Sequence, residues 1–137
     1  MEELMTTRRI QFIIVNLVLF IFFGLAISAS ADSMKIAVAV TGPEKDAAIS
    51  QRAGRTPFFL FFNDKGNFLE AVENPSRDQS RNAGPNAALF LVDKGVTLVI
   101  AGDFGSKMKQ VLEVHHIQYV KKTGVACNAV QTTIQDR

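Results

Sequence analysis

The stretch NAGPNAALFLVDKGVTLVIAGDFGSKMKQVL, Asn82 to Leu112, decides the fold. Gly84-Pro85 sets a proline at the first helical position, where its missing N–H costs nothing, and Gly95 after Asp93-Lys94 stops the helix. Val96 to Ala101 (VTLVIA) is β-branched and almost wholly apolar, which predicts a strand buried on both faces. Gly102-Asp103-Phe104-Gly105-Ser106 then turns into a second helix, on which Met108, Val111, Leu112 and His115 fall at i, i+3, i+4 and i+7. A helix, a buried strand and a helix in succession predict an α/β domain with parallel strands.

Upstream, Met34 to Val40 (MKIAVAV) has the same buried-strand character and ends at Thr41-Gly42-Pro43. Glu44 to Pro57 is polar and without clear periodicity. Phe58 to Phe62 (FFLFF) is too short for a bilayer and rich in aromatics, so it reads as a second central strand. Asn63 to Asn67, with Gly66 inside, predicts a hairpin loop leading to a third strand, Phe68 to Glu73, whose Glu70 and Glu73 suit a sheet edge. Downstream, Ile117 to Val120 is a fifth strand, Lys121 to Gly124 a turn, and Ala126 to Ile134 a closing helix. The order β-β-β-α-β-α-β-α predicts a mixed five-stranded sheet flanked by helices, with the second strand antiparallel to the third.

The 137 residues suffice for one such domain, expected at 32–137. Residues 1–31 differ in kind, because Ile10 to Ile27 contains no charge and follows Arg8-Arg9, a flank that keeps the N-terminus inside and sends the domain across a membrane. Ala29-Ser30-Ala31 fits a signal-peptidase site, whereas the apolar stretch exceeds the usual h-region of about 7 to 15 residues and could act as an uncleaved anchor helix. A start at Met34 in a cytoplasmic protein is the third alternative. Export or anchoring places the domain outside the cytoplasm, in a periplasm, as a secreted or membrane-held protein. A net charge of +2 does not suggest a nucleic-acid partner. The single cysteine, Cys127, excludes an intrachain disulfide.

In an open α/β sheet, ligands sit outside the carboxyl ends of the parallel strands. Those ends are Thr41-Gly42, Gly102-Asp103 and Thr123-Gly124 here, and helices begin nearby at Gly84 and Ser106 with free N–H groups and positive dipole ends. The loop ISQRAGRTP brings Arg52, Gly54 and Arg55 to the same side. Gly42, Arg52, Gly54, Arg55, Gly84, Gly102, Asp103, Gly105 and Ser106 are therefore the candidate ligand-binding residues, and a concave basic edge suits an anion. The alternative is that these arginines only solvate a loop. Cys127, at the start of the last helix, is either a soft-metal ligand or a small core residue. His115 reads as packed on the apolar helical face; His116, at the helix end, suits a left-handed conformation, and two consecutive helical residues do not converge on one ion.

MKIAVAV, ISQRAGRTPFFLFF, AVENP, the quoted Asn82 to Leu112 stretch and HHIQYVKKTG, in this order and spacing, resemble the dinitrogenase iron–molybdenum cofactor biosynthesis domain over about Met34 to Gln131. The resemblance implies a ribonuclease-H-like fold. It also implies a carrier or inserter of metal clusters, whether precursors of the nitrogenase cofactor or, in a related protein, a molybdenum–copper sulfide cluster. The cofactor would be an iron–sulfur or molybdenum-containing cluster. The loop that can read His-Phe-Gly in carriers stands as Arg52-Ala53-Gly54 here, and the apolar leader is a further departure from carriers that work in the cytoplasm.

Catalysis has little to rest on. A ribonuclease-type site needs clustered carboxylates for divalent metal, yet the first strand has none and Asp103 is the one acid at the expected crevice. No serine–histidine–acid spacing is readable, and the Gly102 to Gly105 turn lacks the lysine–serine ending of a phosphate loop. The expectation is a non-enzymatic cluster-binding domain. The rival from a different class is a metal-free accessory or scaffold subunit of a membrane-protein complex.

Overall fold

A computed structural model describes residues 7–11, 13, 14 and 33–137. The chain divides into two units, Met1–Asp32 and Ser33–Arg137. In the first, the described residues are helical and exposed. Most of the expected apolar leader, Ile10 to Ile27, lies outside the described residues, and among those described no helix is long and apolar enough to cross a membrane.

The second unit follows the expected order: β1 (Ile36–Val40), β2 (Phe58–Phe62), β3 (Phe68–Glu73), α1 (Ala83–Asp93), β4 (Leu98–Ala101), α2 (Ser106–Val114), β5 (Gln118–Lys121) and α3 (Ala126–Gln135). The strands lie side by side as β3-β2-β1-β4-β5. β1 pairs parallel with β4 and β4 with β5, while β2 runs antiparallel to both neighbours. β3 is an edge, as its two glutamates require, and β1, β2 and β4 are central and buried.

Side chains on a strand alternate between faces, so each central strand feeds two cores. Phe59 and Phe61 join Ala37, Ala39, Val99 and Ala101 under α1 and α2, packed by Ala87, Leu91, Met108 and Leu112. Leu60 and Phe62 join Ile36, Val38, Val40, Leu98 and Ile100 under α3, packed by Ala126, Ala129 and Val130. Helices on both faces explain why the central strands read as continuous apolar runs rather than alternating ones.

Three local expectations are corrected. α1 begins at Ala83 after Asn82, whose φ is 60°, so Pro85 is the third helical residue and not the first. The proline is harmless there too, since first-turn N–H groups have no intrahelical partner. His115 is exposed, not packed, because α2 ends at Val114. His116 adopts φ 58°, and Ile117 N–H donates to Leu112 O at 2.8 Å, closing the helix through a left-handed residue.

The third correction concerns the segment between β1 and β2, which is polar in sequence but tied down. Ile49 is buried and bridges Val40, Ala48 bridges Val125, and Thr41 N–H donates to Ala48 O at 3.0 Å. Ser50 N–H reaches Ala39 O at 2.9 Å, and the buried Thr56 hydroxyl donates to Val40 O at 2.7 Å. These bonds hold the arginine loop against the carboxyl end of β1.

Candidate functional site

The arginine loop is clamped at three points. Ala53 N–H donates to Asp103 O at 3.2 Å, and Gly102 N–H donates to Ser50 O at 2.9 Å. From the other side, the buried Asn74 amide donates to Gly54 O at 3.0 Å. Where the loop crosses α1, a Cβ on Gly54 would stand 2.6 Å from Gly84 Cα, so the two backbones meet at a distance only glycine permits. Gly84 in turn lies against Met108 of α2, its own would-be Cβ 3.2 Å from the Met108 Cβ.

These crossings enclose an open cavity of about 330 Å³, walled by Gln51, Arg52, Ala53, Gly54, Arg55, Gly84, Asp103, Phe104 and Gly105. Its floor is apolar, because Ala53 and Phe104 belong to the core under α1 and α2. Gly105 borders open space where a side chain would begin. α2 opens at this wall, and its unpaired first-turn N–H groups and positive dipole end favour an anion.

Charge is distributed unevenly around the rim. Arg52 is exposed, and its guanidinium makes no bond to the described residues. Arg55 donates from Nη1 to Gln79 O at 2.7 Å, which orients the guanidinium and leaves other N–H groups free. Asp103 is the one acid on the cavity wall, and Lys121 Nζ stands 2.9 Å from its Oδ1. The Lys121 hydrogen bond, then a hydrogen bond from the Phe104 backbone and the Lys121 charge, hold the Asp103 carboxyl below its ordinary range. The acid is thus ionised but neutralised, and the arginines set the sign of the cavity.

Of the residues singled out in the sequence, Arg52, Gly54, Arg55, Gly84, Asp103 and Gly105 meet at this cavity. Gly102 lies behind it, beneath Gln51, and Ser106 follows Gly105 as the first residue of α2. Gly42 does not line it; a Cβ there would meet Glu44 Oε2 at 2.6 Å. Thr123 and Gly124 line a separate hollow beside α3, and Gly124 O accepts from Ile49 N–H at 2.8 Å. Cys127 is half-buried against the core under α3, on the opposite face of the sheet from Ala53 and Phe104. Among the described residues, no group of three or more histidine, cysteine, aspartate or glutamate side chains could hold a metal ion.

A model of the dinitrogenase iron–molybdenum cofactor family matches residues 34–136, which is the whole of the sheet and its helices. The chain belongs to this family. Its α/β sheet is shared with the orange protein of Desulfovibrio gigas, solved in its apo form, at 29% identity and a TM-score of 0.71 over 75% of this chain and 88% of that one. A NifB-like Thermotoga protein of the DUF35 family shows the same fold, with 24% identity and a TM-score of 0.65 over 76% of this chain and 90% of that one. So does PH0822, at 18% identity and a TM-score of 0.64 over 76% and 93%. No curated protein matches the sequence. The family is linked to metal clusters and cofactors. The cavity offers such a group guanidinium and backbone N–H donors, with no thiolate or imidazole on its wall.

Proposed function

We propose that the 33–137 unit is a non-enzymatic carrier that holds an anionic metal cluster, of iron–sulfur or molybdenum type, in the arginine-rimmed cavity. The observation that carries this reading is the pairing of charges at the rim: Lys121 neutralises Asp103 while Arg52 stays free. A polyanion of sulfide-bridged metal matches a cationic rim, an apolar floor and the N-terminal end of α2. The wall fits a cluster held by charge and hydrogen bonds; Cys127 is not part of it and packs against the core under α3. The cluster is cargo in this reading, loaded and surrendered without bonds from protein to metal.

The leader supports a second part of the proposal, that the domain works outside the cytoplasm, exported or anchored. Arg8-Arg9, the uncharged run Ile10 to Ile27 and Ala29-Ser30-Ala31 come in the order such a segment needs. A reporter fused after Arg137 is expected to be active only beyond the membrane; activity in the cytoplasm would overturn this part alone. The alternative, a metal-free accessory subunit of a membrane complex, is favoured by one observation: arginine stands where carriers can place histidine. Metal and sulfide analysis of protein purified without oxygen separates the two. The carrier reading expects bound metal and acid-labile sulfide in near-integral ratio, and it fails if neither is found and none can be loaded.

A further inference from the structure

Gln51 drew no attention in the sequence, yet it forms part of the cavity wall beside Arg52. Its carboxamide is seated on Gly102: a Cβ there would lie 2.8 Å from Gln51 Cδ and Oε1, and 2.9 Å from Gln51 Cα. The absence of a side chain at Gly102 is what lets Gln51 occupy this place, and the bond from Gly102 N–H to Ser50 O at 2.9 Å fixes the backbone just before it. A glutamine carboxamide carries two N–H donors and an acceptor oxygen. Gln51 is exposed and makes no hydrogen bond to any of the described residues.

The cavity therefore combines two kinds of donor. Arg52 and Arg55 supply charge, which attracts any anion regardless of its surface. Gln51 supplies a neutral donor beside Gly102, which responds only to an acceptor atom within hydrogen-bond reach. We infer that Gln51 is a ligand-contacting residue that hydrogen-bonds a surface sulfido or oxo atom of the bound anion, and that Gly102 is a positioning residue that acts through Gln51. The inference rests on the carrier reading and deepens it. It assigns the cavity to anions with terminal acceptor atoms, and it gives Gly102 a role at a site that it does not line.

The test is equilibrium binding of tetrathiomolybdate, free of oxygen, to the full chain and its variants over a range of salt concentration. Gln51→Met keeps the length of the side chain but removes the donors, and is expected to weaken binding about tenfold, as for a hydrogen bond to a charged partner. Gln51→Glu, which has the same shape and carries a negative charge, is expected to weaken it further. Because Gln51 is neutral, Gln51→Met should leave the salt dependence of binding unchanged, whereas Arg52→Ala should flatten it. A Gln51 that merely packed would give the same unchanged salt dependence but parental affinity, so the tenfold loss at unchanged salt dependence is the readout that marks a lost neutral donor. Thermal melting should be the same for Gln51→Met and the parent. Parental affinity in Gln51→Met overturns the inference and leaves the carrier reading standing; absence of binding by the parent overturns both.

Discussion

At the scale of single residues, the cavity turns on which of its charges are already used. The Arg52 guanidinium has no partner among the described residues, so Arg52→Ala should cost the fold no more than about 0.5 kcal/mol while removing about 1.5 to 3 kcal/mol of anion affinity. Lys94→Ala, in the turn beyond α1, is the control that should change neither. Asp103 gives the opposite sign. Asp103→Asn removes the negative charge from the wall and frees Lys121, so a titration should show tighter anion binding; weaker binding would mean the carboxylate itself holds the ligand. The same residue has a pH signature. Its folded-state value is depressed, chiefly by the Lys121 hydrogen bond, so its contribution to stability is present above its unfolded value and is lost as pH falls through the folded one. Thermal melts across acidic pH should therefore show a slightly shallower acid limb for Asp103→Asn, slight because the group faces solvent.

At the scale of elements, β2 is the piece both cores share. Phe59 and Phe61 are fully buried on one face, Leu60 and Phe62 on the other. Phe61→Ala should destabilise the domain by about 3 to 5 kcal/mol, readable in denaturant unfolding, and an effect below about 1 kcal/mol would contradict the two-sided burial. The hairpin after it is built around Gly66, whose φ is 81° and whose would-be Cβ lies 2.6 Å from Gln131 Nε2 of α3. A side chain there meets both an unfavourable backbone and the helix. Continuous apolar runs made the strands legible in the sequence, and the edge position of β3 followed from its glutamates. The loop between β1 and β2 was not legible, since its order comes from backbone bonds to Ala39, Asp103 and Gly124, partners set by the tertiary fold and not by periodicity. Gly54, Gly84 and Arg52 could still be placed on one edge from the strand order, while Gln51, an ordinary polar loop residue until Gly102 comes beneath it, could not. His115 misled because apolar spacing ran one residue past the end of α2.

At the scale of the whole molecule, both cores and the cavity lie within Ser33–Arg137. That unit alone should fold cooperatively and bind as the full chain does. Its fold is the family's, so the account stands or falls on what the cavity holds. The most direct measurement is a titration of the 33–137 unit with tetrathiomolybdate under oxygen-free conditions, at low and high salt, beside the double variant Arg52→Ala/Arg55→Ala. The account predicts saturable binding by the parent that weakens as salt rises, and a double variant that melts like the parent but binds at least tenfold more weakly. Equal affinity in parent and variant, or parental binding indifferent to salt, would contradict a cluster held by the charge of this cavity.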